Sequence, residues 1–107
     1  MAILLESAAD HNYCLENRVG GQRLVATFED KKAGRIMDVL TDLPGGQLYT
    51  GNFIGDEQGK NGAKYAKNHG VCFETQYYPN AINEESFLSP ITGPEAKYET
   101  TTIYRFR

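Results

Sequence analysis

Val71-Cys72-Phe73-Glu74-Thr75-Gln76-Tyr77-Tyr78, closed by Pro79-Asn80, is rich in residues that favour an extended chain. Side chains on a strand alternate between faces, so Cys72, Glu74, Gln76 and Tyr78 share one side and Val71, Phe73, Thr75 and Tyr77 the other. Glutamate is depleted from strands, and a face with a carboxylate, an amide, a thiol and a phenol makes a poor dry core. An ionised carboxylate buried without partners is costly, and such a group neutralises instead. That face therefore either turns its polar side to solvent or lines a polar concavity, where Glu74 is a candidate general base.

The rest of the chain reads the same way. Leu24-Val25-Ala26-Thr27-Phe28-Glu29 and Ile36-Met37-Asp38-Val39-Leu40-Thr41 flank a polar stretch ending in Gly34-Arg35, which predicts a hairpin. Pro44-Gly45-Gly46 turns the chain into a strand over Gln47 to Phe53, and residues 10–17 predict another. From Gly55 to about Lys64 the chain is polar and without apolar period, hence a surface loop. Lys97 to Arg107 alternates as a last strand, with Tyr98, Thr100, Thr102, Tyr104 and Phe106 on one side. No window carries a 3.6-residue stripe over three turns, so the chain is read as all-β.

Composition narrows the function. The 107 residues hold eleven Lys and Arg against 14 Asp and Glu, a net charge of −3, which argues against a nucleic-acid partner. Ile3-Leu4-Leu5 is too short for a membrane span or a secretory core and follows no basic residue, so a soluble cytoplasmic protein is expected. Cys14 and Cys72 each sit in an apolar run and are expected to be buried thiols. The seven Tyr and five Phe are expected mostly in the core, with one or two Tyr free to stack on a flat ligand. His11…Cys14 and His69…Cys72 could make a zinc set by number, but residues three apart on a strand point to opposite faces. No metal site is expected. Asp10-His11 near Ser7 has no Gly-x-Ser-x-Gly elbow beside it, and no phosphate loop or dinucleotide fingerprint is present.

Three segments together carry a resemblance: Asp10-His11-Asn12-Tyr13, Gly46-Gln47-Leu48-Tyr49-Thr50-Gly51-Asn52-Phe53 and Gly70-Val71-Cys72-Phe73-Glu74-Thr75-Gln76. In order and spacing they resemble signature segments of the galactose mutarotases (aldose 1-epimerases). The Pro79-Asn80 turn and Thr102-Ile103-Tyr104-Arg105-Phe106 are similar to the C-terminal end of that family. The resemblance covers essentially all 107 residues but only about the last third of the family. It implies an antiparallel β-sandwich of the galactose mutarotase-like kind, of which residues 1–107 form the C-terminal part.

The resemblance also implies a cofactor-free interconversion of the α and β anomers of a hexose such as galactose or glucose. Carried over by motif, Glu74 is the general base, and Asp10 and Gln47 bind sugar hydroxyls. His11 receives no role and is expected to pack. The family's catalytic histidine, with an arginine and a second histidine that grip the sugar, has no counterpart here. His69, five residues before Glu74, falls on the opposite face if the strand reaches it. The missing groups are expected from the N-terminal portion or a second copy. The alternative is a non-catalytic carbohydrate-binding or interaction module derived from the same fold.

Overall fold

The computed structural model describes residues 8–15 and 21–107, so Ile3-Leu4-Leu5, Ser7 and the end of the 10–17 stretch lie outside it. The hairpin forms as the alternation requires, from β1 (Asp10–Cys14) onward in chain order: β2 (Arg23–Asp30) pairs antiparallel with β3 (Arg35–Thr41). Its turn is closed by the Asp30 carboxylate, which accepts the Lys32 and Ala33 N–H groups at 3.1 Å, an arrangement Asp favours locally. A register shift between Leu24 and Ala26 lets Val25 and Ala26 both pack against the core.

Next come β4 (Gly45–Tyr49), β5 (Glu57–Gln58), β6 (Lys64–Tyr65), β7 (Cys72–Gln76) and β8 (Thr102–Phe106). Among the described residues two antiparallel sheets of three strands result, ordered β1-β4-β7 and β2-β3-β8. The predicted surface loop is exposed, and within it β5 and β6 pair as a small ribbon across the short 3₁₀ turn Lys60–Gly62. No helix among the described residues is long and apolar enough to cross a membrane.

The core lies between the sheets. Leu48 and Phe73 from one sheet meet Val39 from the other, with Ala9 and Leu15 at the margin. Phe28 sets its ring edge-on to Phe73, centroids 5.6 Å apart, a geometry aromatic pairs prefer. Phe73 lies directly over Gly46, where any Cβ would collide with the ring. Glycine there is required by close approach, because the phenyl ring occupies the space of its absent side chain.

A chain of hydroxyls crosses the same interior. Thr41 on β3 meets Thr102 on β8 at 3.0 Å, and Thr102 meets Thr75 on β7 at 2.7 Å. The strand carrying Glu74 is thus tied to the opposite sheet by polar contacts as well as by Phe73. Thr102→Val, which keeps the shape and removes the hydroxyl, is expected to cost about 1–3 kcal/mol because it strands two partners. Urea unfolding of the two proteins measures it.

Three expectations are corrected. The last strand is shorter than Lys97–Arg107, because β3 ends at Thr41 and offers partners only to Thr102–Phe106 and, by backbone bonds to Ile36, Arg107. Before it, Thr100 and Thr101 are held by the Asp42 carboxylate instead. The aromatics are mostly not core: Phe53, Tyr65, Tyr98, Tyr104 and Phe106 are exposed, since alternation assigns a face without saying what covers it. Cys14 and Cys72 are free and exposed, not buried, because both stand on the uncovered face of the β1-β4-β7 sheet.

The outer face of the other sheet holds a buried carboxylate. Asp38 accepts from Thr27 at 2.8 Å, Arg105 at 2.8 Å and Arg107 at 2.9 Å; Thr27 and Arg105 are its direct cross-strand partners. Its side chain is 1% exposed beneath the two guanidinium groups. The Arg107 and Arg105 bonds, then that of Thr27, hold its carboxyl far below the ordinary carboxylate range. A depressed native pKa means the unfolded chain binds the proton first. The stabilisation is complete only above about pH 5, about one unit above the unfolded carboxyl's pKa, and fades as pH falls below that. Acid titrations followed by circular dichroism should show this fading, and Asp38→Asn should be less stable at neutral pH yet lose less on acidification.

Candidate active site

The site is built on alternation in three neighbouring strands. Cross-strand register places Asp10 beside Tyr49 and Tyr49 beside Cys72; the next same-face row is Asn12, Gln47 and Glu74; the third is Cys14, Gly45 and Gln76. These nine positions share the face turned away from Leu48 and Phe73. Asp10, Gln47 and Glu74 are therefore brought together on one open sheet surface from three separate parts of the sequence.

Their hydrogen bonds differ. Gln47 Nε2 donates to Asp10 Oδ1 at 2.7 Å along the diagonal, orienting both groups. Gln76 Nε2 donates to Asn12 Oδ1 at 3.1 Å, and the two meet over Gly45. A Cβ at Gly45 would lie 2.9 Å from Asn12 Oδ1 and 3.0 Å from the Tyr78 ring, so the close amide pair needs the bare backbone. Glu74 is exposed and its carboxylate makes no hydrogen bond or ion pair with the described residues, leaving it open to an incoming group. The face thus carries two carboxylates, neither in an ion pair with a described cation. Among the described residues no three His, Cys, Asp or Glu cluster so as to hold a metal ion.

A second layer of polar side chains fixes the upper end of the sheet. Thr50 N–H donates to the Ala9 carbonyl at 3.0 Å, and Ala9 N–H donates back to Thr50 Oγ1 at 2.8 Å. Asn52 Nδ2 also reaches the Ala9 carbonyl, at 3.0 Å. Asn68 Nδ2 donates to the Thr50 carbonyl at 2.7 Å and to Asn52 Oδ1 at 3.1 Å. Thr50 and Asn52 therefore pin the residue before Asp10, and Asn68 ties in the turn that leads to β7. Reading the sequence for chemistry missed these positioning residues and Asn12. The signal was present in Asn12 two residues from Asp10, and in Thr50 and Asn52 inside a quoted segment.

Neither histidine belongs to the three same-face rows. His11 pairs with Leu48 on the opposite side of β1 from Asp10 and is exposed, which corrects the expectation that it packs. His69 lies in the turn before β7, its N–H bonded to the Ala66 carbonyl at 3.0 Å. The strand begins at Cys72, so strand alternation does not decide where His69 points.

Residues 2–105 match the family model for aldose 1-epimerase. The chain belongs to the aldose 1-epimerase family. It is 41% identical over 98 residues to galactose mutarotase of Mus musculus and equally to that of Homo sapiens. Each match covers 91% of this chain and 28% of the relative. Aldose 1-epimerase of Escherichia coli (strain K12) is 26% identical over 99 residues, again 91% of this chain and 29% of the relative. The chain thus spans less than a third of the length of these curated relatives. Within the family frame, the two antiparallel sheets are part of the aldose epimerase β-sandwich.

Proposed function

We propose that this chain supplies the base-bearing, sugar-gripping part of an aldose 1-epimerase site acting on a hexose such as galactose or glucose. One observation carries the reading: Asp10, Gln47 and Glu74 stand on one open sheet face, the first two already oriented by each other and Glu74 free. Asp10 can accept from two hydroxyls, and Gln47 Oε1 remains available while its amide donates to Asp10. Glu74 then takes the proton from the anomeric hydroxyl. A general acid protonates the ring oxygen, the bond between C1 and that oxygen breaks, and the O1 electron pair forms the aldehyde. Rotation about C1–C2 presents the other carbonyl face, and ring closure returns both protons. Reactant and product are isomers, so the steps balance without a cofactor.

The acid and the cationic sugar contacts come from outside this chain, from the N-terminal portion of the same domain or from a second copy. Two carboxylates without an ion-pair partner among the described residues suit a complement that brings positive charge. Free, exposed Cys14 and Cys72 suit a reducing compartment such as the cytoplasm. A second reading, a carbohydrate-binding module without turnover, is favoured for the isolated chain because neither His11 nor His69 bonds to Glu74.

Polarimetry of freshly dissolved α-galactose tests the reading. The chain alone should leave the rate near that of buffer, and the chain assembled with the complementary portion of mouse galactose mutarotase should accelerate it. An assembled complex that gives no acceleration overturns the proposal.

A further inference from the structure

We propose that Phe53, stacked on Tyr49, is an aromatic platform for the C–H face of the sugar and favours galactose-configured over glucose-configured pyranoses. The inference rests on the sugar-site reading above and adds a specificity residue to it. Phe53 is 83% exposed, the most exposed of the large apolar side chains described. Nevertheless it is held in place. Its N–H donates to Tyr49 Oη at 2.9 Å, and the two rings stack at 6.5 Å with an interplanar angle of 14°. The segment leading to it is fixed by Asn68 N–H on the Gly51 carbonyl at 2.9 Å and by the Asn52 bond to Ala9.

Position supplies the second argument. Tyr49 is the direct cross-strand partner of both Asp10 and Cys72 and lies two residues from Gln47. The stacked rings therefore stand on the site's own face, at its Asp10 end. Binding sites for small polar ligands combine a few placed polar groups with apolar and aromatic walls. Asp10, Gln47 and Glu74 provide the first kind of group and nothing for the apolar side of a pyranose; Tyr49 and Phe53 provide the second. With an axial 4-hydroxyl, the hydrogens on C3, C4 and C5 of galactose lie on one side as a continuous apolar patch. The equatorial 4-hydroxyl of glucose leaves that patch interrupted. A flat phenyl ring discriminates between these two surfaces.

Saturation-transfer NMR of the chain with D-galactose and with D-glucose decides the matter, using wild type, Phe53→Leu and Asp10→Asn. Because Phe53 is exposed, the leucine variant keeps the fold, which its amide spectrum verifies. Wild type is expected to saturate H3, H4 and H5 of galactose most strongly and to prefer galactose. Phe53→Leu is expected to weaken galactose about threefold to tenfold, with the preference over glucose collapsing. Galactose bound as in wild type by Phe53→Leu, yet lost in Asp10→Asn, overturns the platform and leaves the sugar site standing. No saturation of either sugar by wild type, whether alone or assembled with the complementary portion of mouse galactose mutarotase, overturns both.

Discussion

Glu74→Gln removes the proposed general base and in the assembled protein is expected to lower kcat by about 10²–10⁴-fold and leave KM nearly unchanged. Glutamine keeps the size and the hydrogen-bonding reach of glutamate but cannot accept the anomeric proton. The substitution is clean because Glu74 is exposed and its carboxylate bonds to no described residue, so no internal partner is stranded. Thermal unfolding of the variant should stay within about 0.5 kcal/mol of wild type, as at a surface position. Polarimetry gives kcat and KM together. Turnover at the wild-type rate would show that another group accepts the proton. In the binding-module reading, sugar affinity is the measured quantity, and Glu74→Gln changes it little.

Phe73→Ala has the largest expected effect on stability, about 3–5 kcal/mol, the usual range for a buried phenylalanine. Its ring joins three parts of the structure: it lies over Gly46, makes a T-shaped pair with Phe28 and belongs to the small cluster with Leu48 and Val39. A domain with a total stability of about 5–15 kcal/mol would lose a large fraction of it. Gly46→Ala alone should also destabilise, by about 1–3 kcal/mol, since the new methyl must push the ring aside. In the Phe73→Ala background the same methyl partly fills the vacated space, so the two effects should not add. Urea denaturation of the four proteins measures the coupling, and strict additivity would mean that ring and glycine backbone do not constrain each other.

Much of the fold was legible because period-2 alternation is a local property. The hairpin of 24–29 with 36–41 and the sharing of a face by Cys72, Glu74 and Gln76 both follow from neighbouring residues. What covers a face is not local. Cys14 and Cys72 look like core thiols from their flanks, and only the sheet order shows that they stand on the uncovered side. The length of the last strand depended likewise on where β3 stops. The Asp38 cluster was invisible for the same reason, since Arg105 and Arg107 come from 67 and 69 residues away. In the candidate site, the odd placing of Glu74 in a strand was readable directly. The pairing of Asp10 with Gln47 depends on strand register across 37 residues, which alternation alone does not determine.

Phe73 and Glu74 are consecutive, and one faces the core while the other faces the open site. Sliding β7 by a single residue would turn the carboxylate inward against Leu48 and Val39 and leave the phenyl group on the polar face. Every other side chain of the strand would invert with it. The interlock of Phe73 with Gly46 therefore acts as an indexing pin for the chemistry. A substitution on the polar face leaves that register intact, because its frame of reference lies on the other side of the sheet.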